Sequence, residues 1–296
     1  MTEALDTFER LRPRLQAIGY RMLGSIAEAE DLVQDAWLRW HEGGEGEQHA
    51  VHNPEAWLVT MTSRMAIDRL RAARLRRETY PGFWLPEPLP EDGPATPEQT
   101  RELADDVSVA FLMLLDRLAP EARAAFLLRE VFDADYAQVA EAIGKSEPAA
   151  RQIVHRAKAQ LQAARGAPTA PQAAQHRVLR AFADALSRGN FAELHALIDE
   201  KAELIGDGGG RVPSFPKPLL GARRIAQLYY AACRRYGAGM RVELARLNGR
   251  WALLRWLDGT LESAQAFETD GERIVRIHVQ RNPEKLARLA KFFSTD

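Results

Sequence analysis

Apolar residues recur every three or four positions through the first half of this chain and at alternate positions through much of the second. Phe8, Leu11, Leu15, Ile18 and Met22 predict an amphipathic helix that Gly24 ends. Ser25 and Glu28 have capping-box spacing and start a second helix, with Leu32, Val33, Ala36, Trp37 and Trp40 on its apolar side. Past a Gly- and Glu-rich loop at 42–52, Asn53-Pro54 opens a third helix. Its stripe is Trp57, Leu58, Met61 and Met65, extended by Ile67 and Leu70. The pattern stops at Glu78. Residues 80–99 hold too much Pro and Gly for a helix and read as a linker. Tyr80, Phe83 and Trp84 in that linker suggest that it docks, the alternative being an adventitious aromatic cluster. Residues 103–118 are helical again, through Val107, Phe111, Leu114 and Leu118, and Pro120 opens the next helix.

Residues 136–161 carry the strongest local signal. Val139, Ala140 and Ile143 lie at helical spacing, Gly144 supplies a tight turn, and Ser146 with Pro148 starts a second helix. Ala150, Ile153 and Ala157 give that helix a core stripe. This is a helix-turn-helix. Arg151, Gln152, His155, Arg156 and Lys158 fall on its other faces, where such side chains reach phosphates and base edges in a major groove. A helical hairpin with a solvated basic face is the alternative.

Beyond Gln172 the texture changes. Val178, Phe182 and Leu186 mark one helix, and Phe191, Leu194, Leu197 and Ile198 another. Strand-like runs follow at 202–205, 240–247, 251–257, 263–269 and 274–280, with hairpin signals at Asn248-Gly249 and Asp270-Gly271. A helix at 221–235 lies among them and a short one closes the chain at 282–293. Helices followed by consecutive hairpins predict an α+β domain with a curved antiparallel sheet.

Composition narrows the function. Apolar residues make up 46% of 296, an ordinary globular content. No apolar run approaches bilayer length, and the N-terminus lacks a signal-peptide core, so a cytoplasmic location without membrane contact is expected. Cys233 is the single cysteine, which excludes an intrachain disulfide and a cysteine-rich zinc site. No metal or cofactor pattern is present. A net charge of −1 argues against a uniformly basic nucleic-acid binder. Its distribution matters more: Arg64, Arg69, Arg71, Arg74, Arg76 and Arg77 crowd one segment, and Lys145, Arg151, Arg156, Lys158 and Arg165 another.

These residues carry a resemblance. Residues 8–77, with AEDLVQDAWLRW and AWLVTMTSRMAIDRLR, resemble region 2 of bacterial sigma factors. Residues 118–161, with EARAAFLLREVFDADYAQVAEAIGKSEPAARQIVHRAKAQL, resemble region 4. With no long region 3 between them, the chain resembles the extracytoplasmic-function (ECF) group. Its tail resembles the SnoaL-like cone. WLPEP at 84–88, DGGG at 207–210 and NPEKL at 282–286 resemble the motifs of the subfamily in which such a cone is fused to the sigma factor. That family favours Lys after DGGG and Asp within the last motif, where this chain has Arg211 and Glu284.

The implied architecture is multidomain: a region 2 helical bundle at 1–78, a Pro-rich linker at 79–104 and a region 4 helix-turn-helix at 105–165. A second linker at 166–172 leads to a SnoaL-like α+β domain at 173–296. The resemblance implies that Asp31, Gln34, Asp35 and Arg39 dock on the clamp of core RNA polymerase, a solvated face being the alternative. It implies that Arg64, Arg69, Arg71 and Arg74 track the minus-ten element, with Trp57 able to stack on a base or to pack in the core. Arg151, Gln152, His155 and Arg156 would read the minus-35 element.

For the tail three readings stand: a regulator acting in cis, a sensor of a small unknown ligand, or an isomerase- or cyclase-type enzyme. Asp207, His195, Asp258 and His278 are available for acid–base work, Asp207 fitting a structural turn equally well. The favoured reading assigns no catalytic residue. It makes Trp84, Leu85, Pro86, Asp207, Gly208, Gly209, Gly210, Asn282, Pro283 and Lys285 regulatory, converging where the tail joins the sigma domains. The competing function class is a DNA-binding regulator whose tail is a sensor or a working enzyme.

Overall fold

A computed structural model describes residues 2–42, 53–91, 107–164 and 170–294. Arg165 and the side chain of Arg76, named above, fall outside the described residues, as do the loop at 43–52 and residues 103–106. The chain forms two compact units, Met1–Glu78 with Leu112–Arg165, and Thr79–Phe111 with Gly166–Asp296.

The first unit is helical. α1 (Thr2–Leu23) ends at Gly24, whose φ of 71° is left-handed. α2 (Ile26–Glu42) starts where the Glu28 amide donates to Ser25 Oγ. The two helices cross closely at Gly19, where an added Cβ would stand 3.1 Å from Ala29 Cβ. α3 (Pro54–Glu78) is the central element and packs on α1 and α2 and on two later helices, α5 (Pro120–Glu130) and α6 (Tyr136–Ile143). Enclosure on several sides explains why Thr62 and Ser63 are as buried as Leu58 and Leu70. Ser63 satisfies its hydroxyl on the Val59 carbonyl at 2.7 Å.

α4 (Val109–Leu115) is shorter than the periodicity at 103–118 predicts. Ser108 Oγ accepts from the Phe111 amide and fixes its start. Leu118 is buried in the turn before Pro120. Ahead of α6, Asp135 and Gln138 form a reciprocal capping box. Gly144 (φ 65°, ψ 42°) closes α6, and α7 (Glu147–Ala164) follows. The α7 core stripe is Ala150, Val154, Ala157 and Leu161; Ile153, expected there, is half-buried. One residue rotates the position by about 100°, so Val154 rather than Ile153 continues the line from Ala150 at i+4.

The second unit packs α8 (Gln172–Ser187), α9 (Phe191–Ala196) and α10 (Ala222–Tyr236) on one face of a six-stranded sheet. Its strands are β1 (Ile198–Asp207), β2 (Leu219–Leu220), β3 (Met240–Leu247), β4 (Arg250–Leu257), β5 (Thr260–Thr269) and β6 (Ile274–Gln280), ordered β2-β1-β6-β5-β4-β3. The expected antiparallel sheet is corrected to a mixed one: β1 runs parallel to β6, while the other pairings are antiparallel. Consecutive hairpins can only produce antiparallel neighbours. β1 and β6 become neighbours because the chain leaves through α10 and returns three hairpin-connected strands later. Phe182, Tyr229, Leu253 and Ile277 fill the inner core, whereas Ala245, Leu254 and Trp256 pack outside under Leu286 and Leu289 of α11 (Pro283–Phe293). No helix among the described residues is long and apolar enough to cross a membrane.

Candidate functional site

On α7, Arg151, Gln152, His155, Arg156 and Lys158 are all exposed, opposite the buried stripe. Arg151 lies 4.1 Å over the Tyr136 ring and 3.5 Å from Glu147, which holds its guanidinium near the start of the helix. Lys158 is paired with Glu130 at 2.5 Å.

On α2, Asp31, Gln34 and Arg39 form an exposed face with Asp35. Leu38, which the sequence reading passed over, is 46% exposed on that face. Trp40 is buried against Trp57, with ring centroids 5.1 Å apart, and Trp37 packs on Phe8 at 4.9 Å. Trp37 and Trp57 are half-buried, and the Trp57 ring is packed on Trp40 within the unit.

The basic track of α3 is occupied within the first unit. Arg64 donates to the Glu141 carbonyl of α6 at 2.7 Å. Arg69 binds Asp35 and, at 2.9 Å, the Glu28 carbonyl. Arg71 bridges Asp68 and Glu121, and Arg74 donates to the carbonyls of Asp116 and Leu118. Arg123, which no sequence pattern singles out, is 1% exposed and donates to the Arg21 carbonyl from Nε at 3.0 Å and Nη2 at 2.7 Å. Burial lowers its pKa to about 10, still charged at neutral pH. Helices α1 and α3 are therefore joined to the segment from Asp116 to α6 by arginines seated on backbone carbonyls.

In the second unit the residues of the three sequence motifs meet. Asp207, fully buried at the end of β1, accepts on Oδ2 from the Leu85 amide (2.9 Å), Lys285 Nζ (2.7 Å) and Gln280 Nε2 (3.2 Å). On Oδ1 it accepts from Tyr80 Oη (2.7 Å) and the Gly209 amide (2.9 Å). Burial and the adjacent carboxylate push the Tyr80 phenol well above its usual pKa, so it stays a donor. Lys285 Nζ also donates to the Leu85 carbonyl at 2.6 Å and lies 4.3 Å from the Trp84 ring. Pro86 is buried, its carbonyl accepting from Gln280 Nε2.

Asn282 Nδ2 donates to Tyr80 Oη at 3.1 Å while its Oδ1 caps α11 on the Glu284 amide, with Pro283 in the first turn. Gly209 (φ 63°) and Gly210 (φ 69°) must lack a Cβ, since one would stand 2.4 Å from Asn282 and 2.6 Å from Pro81. At Gly208 a Cβ would meet the Val212 carbonyl at 2.2 Å. Arg211 and Glu284, the two departures from the family pattern, are ion-paired with each other at 2.8 Å.

Further along, the linker lies beside β3. Pro90 bridges Leu247, Glu91 pairs with Arg246 at 3.1 Å, and the Asn248 amide donates to the Leu89 carbonyl at 2.8 Å. Asn248, recognised in sequence only as a turn residue, takes φ 52° and is buried. Its Oδ1 accepts from the Leu89 amide and its Nδ2 donates to the Val107 carbonyl. Tyr80 follows α3 by two residues and Val107 precedes α4 by two, so the linker is clamped near each end.

The four acid–base candidates do not assemble. Asp258 sits exposed in the β4–β5 turn with φ 48°, and His195 lies on α9 near Glu200. His278 is buried, its pKa lowered to about 3 by burial and then by Arg276. Asp207 is committed to the linker.

Comparison with known proteins matches these elements. The sigma-70 region 2 family covers residues 7–76 and the sigma-70 region 4 family residues 108–161. The ECF RNA polymerase sigma factor SigJ of Mycobacterium tuberculosis H37Rv is 36% identical over 249 residues, 83% of this chain and 78% of the relative. The probable ECF RNA polymerase sigma factor SigI of M. tuberculosis CDC 1551 is 31% identical over 284 residues, 93% of this chain and 92% of the relative. The crystal structure of M. tuberculosis SigJ matches with a TM-score of 0.75 at 30% identity, over 96% of this chain and 98% of that one. With region 2 and region 4 helices in one unit and a SnoaL-like α+β sheet in the other, this chain belongs to the ECF RNA polymerase sigma factors.

Proposed function

We propose that this sigma factor brings core RNA polymerase to its promoters through three helices and that its C-terminal domain controls the process in cis. The exposed face of α2, Asp31, Gln34, Asp35 and Arg39 with Leu38 at its centre, meets the polymerase clamp. Helix α3 engages the opened minus-ten element, where strand opening requires cations along the phosphates. Helix α7 reads the minus-35 duplex, Arg151 suiting guanine and Gln152 adenine, with His155 and Arg156 on neighbouring bases or phosphates.

The observation that carries control in cis is the double clamp on the linker, Tyr80–Leu85 on Asp207 and Lys285 at one end and Val107 on Asn248 at the other. This linker is the covalent tether between regions 2 and 4. Arg64, Arg71 and Arg74 must leave their intramolecular carbonyl and carboxylate partners before they reach DNA. Regions 2 and 4 must then move apart on a longer tether, and the clamp opposes that lengthening.

Run-off transcription with purified core polymerase tests the initiation role. The full chain should support promoter-dependent transcript, and Asp31→Arg with Leu38→Glu should abolish it without loss of duplex binding. Transcript unaffected by the double variant would reject the assigned docking face.

A further inference from the structure

A cavity of about 350 Å³ opens between the inner face of the sheet and α10. Leu204, Leu228, Phe215 and Val279 make much of its wall apolar. Into that wall are set Arg255, Glu262 and Arg281. Arg255 donates to Glu262 Oε2 from Nε at 2.8 Å and Nη2 at 2.6 Å, and Arg281 Nε donates to Oε1 at 2.6 Å. Arg255 is 12% exposed and Glu262 14%.

A bulge builds this cluster. Arg255 pairs with Ser263 and Trp256 with Leu261, which leaves Glu262 as the extra residue. Regular alternation would send Glu262 to the outer face with Ala264; the bulge turns it inward beside Arg255. Burial alone would raise the Glu262 pKa, but Arg255 and then Arg281 outweigh it and hold the carboxyl below its usual range. Glu262 is thus ionised, and each of its oxygens already serves one guanidinium. Two cations face one anion, and Arg235 at the rim adds to the excess.

Surplus charge in an apolar wall is costly unless an anion completes it. A second group is also unfulfilled: Ser214 Oγ, on the same wall, is buried with no hydrogen-bond partner. Arg281 Nη1 donates to the Pro213 carbonyl, one residue away, which keeps Ser214 close to the cluster. Tyr229 is not available, since its hydroxyl donates to Gln265 Oε1.

We propose that this cavity binds a small amphipathic monocarboxylate, its carboxylate taken by the arginine cluster and Ser214 and its apolar body by Leu204, Leu228 and Val279. At about 30 Å³ per water-sized group the volume holds roughly a dozen non-hydrogen atoms. Octanoate, octanamide and inorganic phosphate separate charge from apolar body and serve as probes.

Calorimetric titration of the full chain should give octanoate at least a tenfold tighter Kd than octanamide, with phosphate failing to compete. Arg281→Gln leaves a neutral Arg255–Glu262 pair and should weaken octanoate at least tenfold while leaving octanamide unchanged. Ser214→Ala, which disturbs no existing hydrogen bond, should weaken octanoate severalfold and decides the matter if the arginine variant misfolds. Equal binding of acid and amide, no binding of either, or undiminished octanoate affinity in a folded variant would overturn the proposal.

Discussion

Lys285 Nζ stands 2.7 Å from Asp207 Oδ2, and the same nitrogen reaches the Leu85 carbonyl at 2.6 Å. One cation thus neutralises a fully buried carboxylate at a strand end and holds the backbone of the linker against it. Removing one partner of such a pair leaves the other charge buried and unmatched, which costs about 3 kcal/mol. Lys285→Ala should release the Tyr80–Leu85 segment, and amide hydrogen exchange at Leu85 should accelerate by about two orders of magnitude, by the factor of ten per 1.4 kcal/mol. Exchange at Leu253, in the inner core, should change far less.

Gly209 supplies a second handle on the same clamp. Gly209→Ala combines a left-handed φ of 63° with a Cβ 2.4 Å from Asn282. Strain of about 1–3 kcal/mol follows, and the Asn282–Tyr80 hydrogen bond should be lost. Calorimetric melting should record the lower stability. Gly144→Ala, also at positive φ but with open space around the Cβ position, should cost only the backbone strain.

On α7 the two arginines should separate by the kind of DNA contact they make. Arg151→Ala should lose about 1–3 kcal/mol on the preferred duplex and little on random duplex. Arg156→Ala should weaken both alike and reduce the salt-dependence slope by about one. Fluorescence anisotropy across a salt series measures both.

His278 makes stability depend on pH. Its side chain is buried, with Arg276, Glu268 and Glu203 as charged neighbours. The folded pKa of about 3 lies below the ordinary 6.5, so below pH 6.5 the unfolded chain takes up a proton that the folded one refuses. Stability is then full above pH 6.5 and falls as pH drops towards 3. Denaturant melts between pH 7 and 5 should lose stability in the native chain, and His278→Gln should flatten that slope.

Legibility in the sequence followed locality. β3 and β6 were bounded correctly from alternation and turn residues, because a hairpin's signals lie within its own few residues. β2, with two residues, has no period to detect. The β1–β6 parallel pairing was invisible, since it joins strands about 70 residues apart whose turns reveal nothing about each other. Among candidate site residues the exposed set on α7 could be read from its complement, the core stripe, even with Ile153 standing in for Val154.

Asn248 marks the opposite limit. Its turn role is written in Asn-Gly, but its clamp on Leu89 and Val107 depends on residues 159 and 141 positions away. Engagement of Arg64 and Arg74 was equally hidden, because their acceptors are backbone carbonyls, which every sequence supplies.

Restraint of initiation by a C-terminal domain that clamps the linker is tested by run-off transcription by core polymerase with the full chain, Lys285→Ala and Arg211→Ala. Arg211 and Glu284 form an exposed pair of little energetic weight, so Arg211→Ala is the control. Lys285→Ala should raise promoter-dependent transcript severalfold, with Arg211→Ala matching the native chain. Transcript from folded Lys285→Ala that stays at or below the native level would rule out restraint through the clamp.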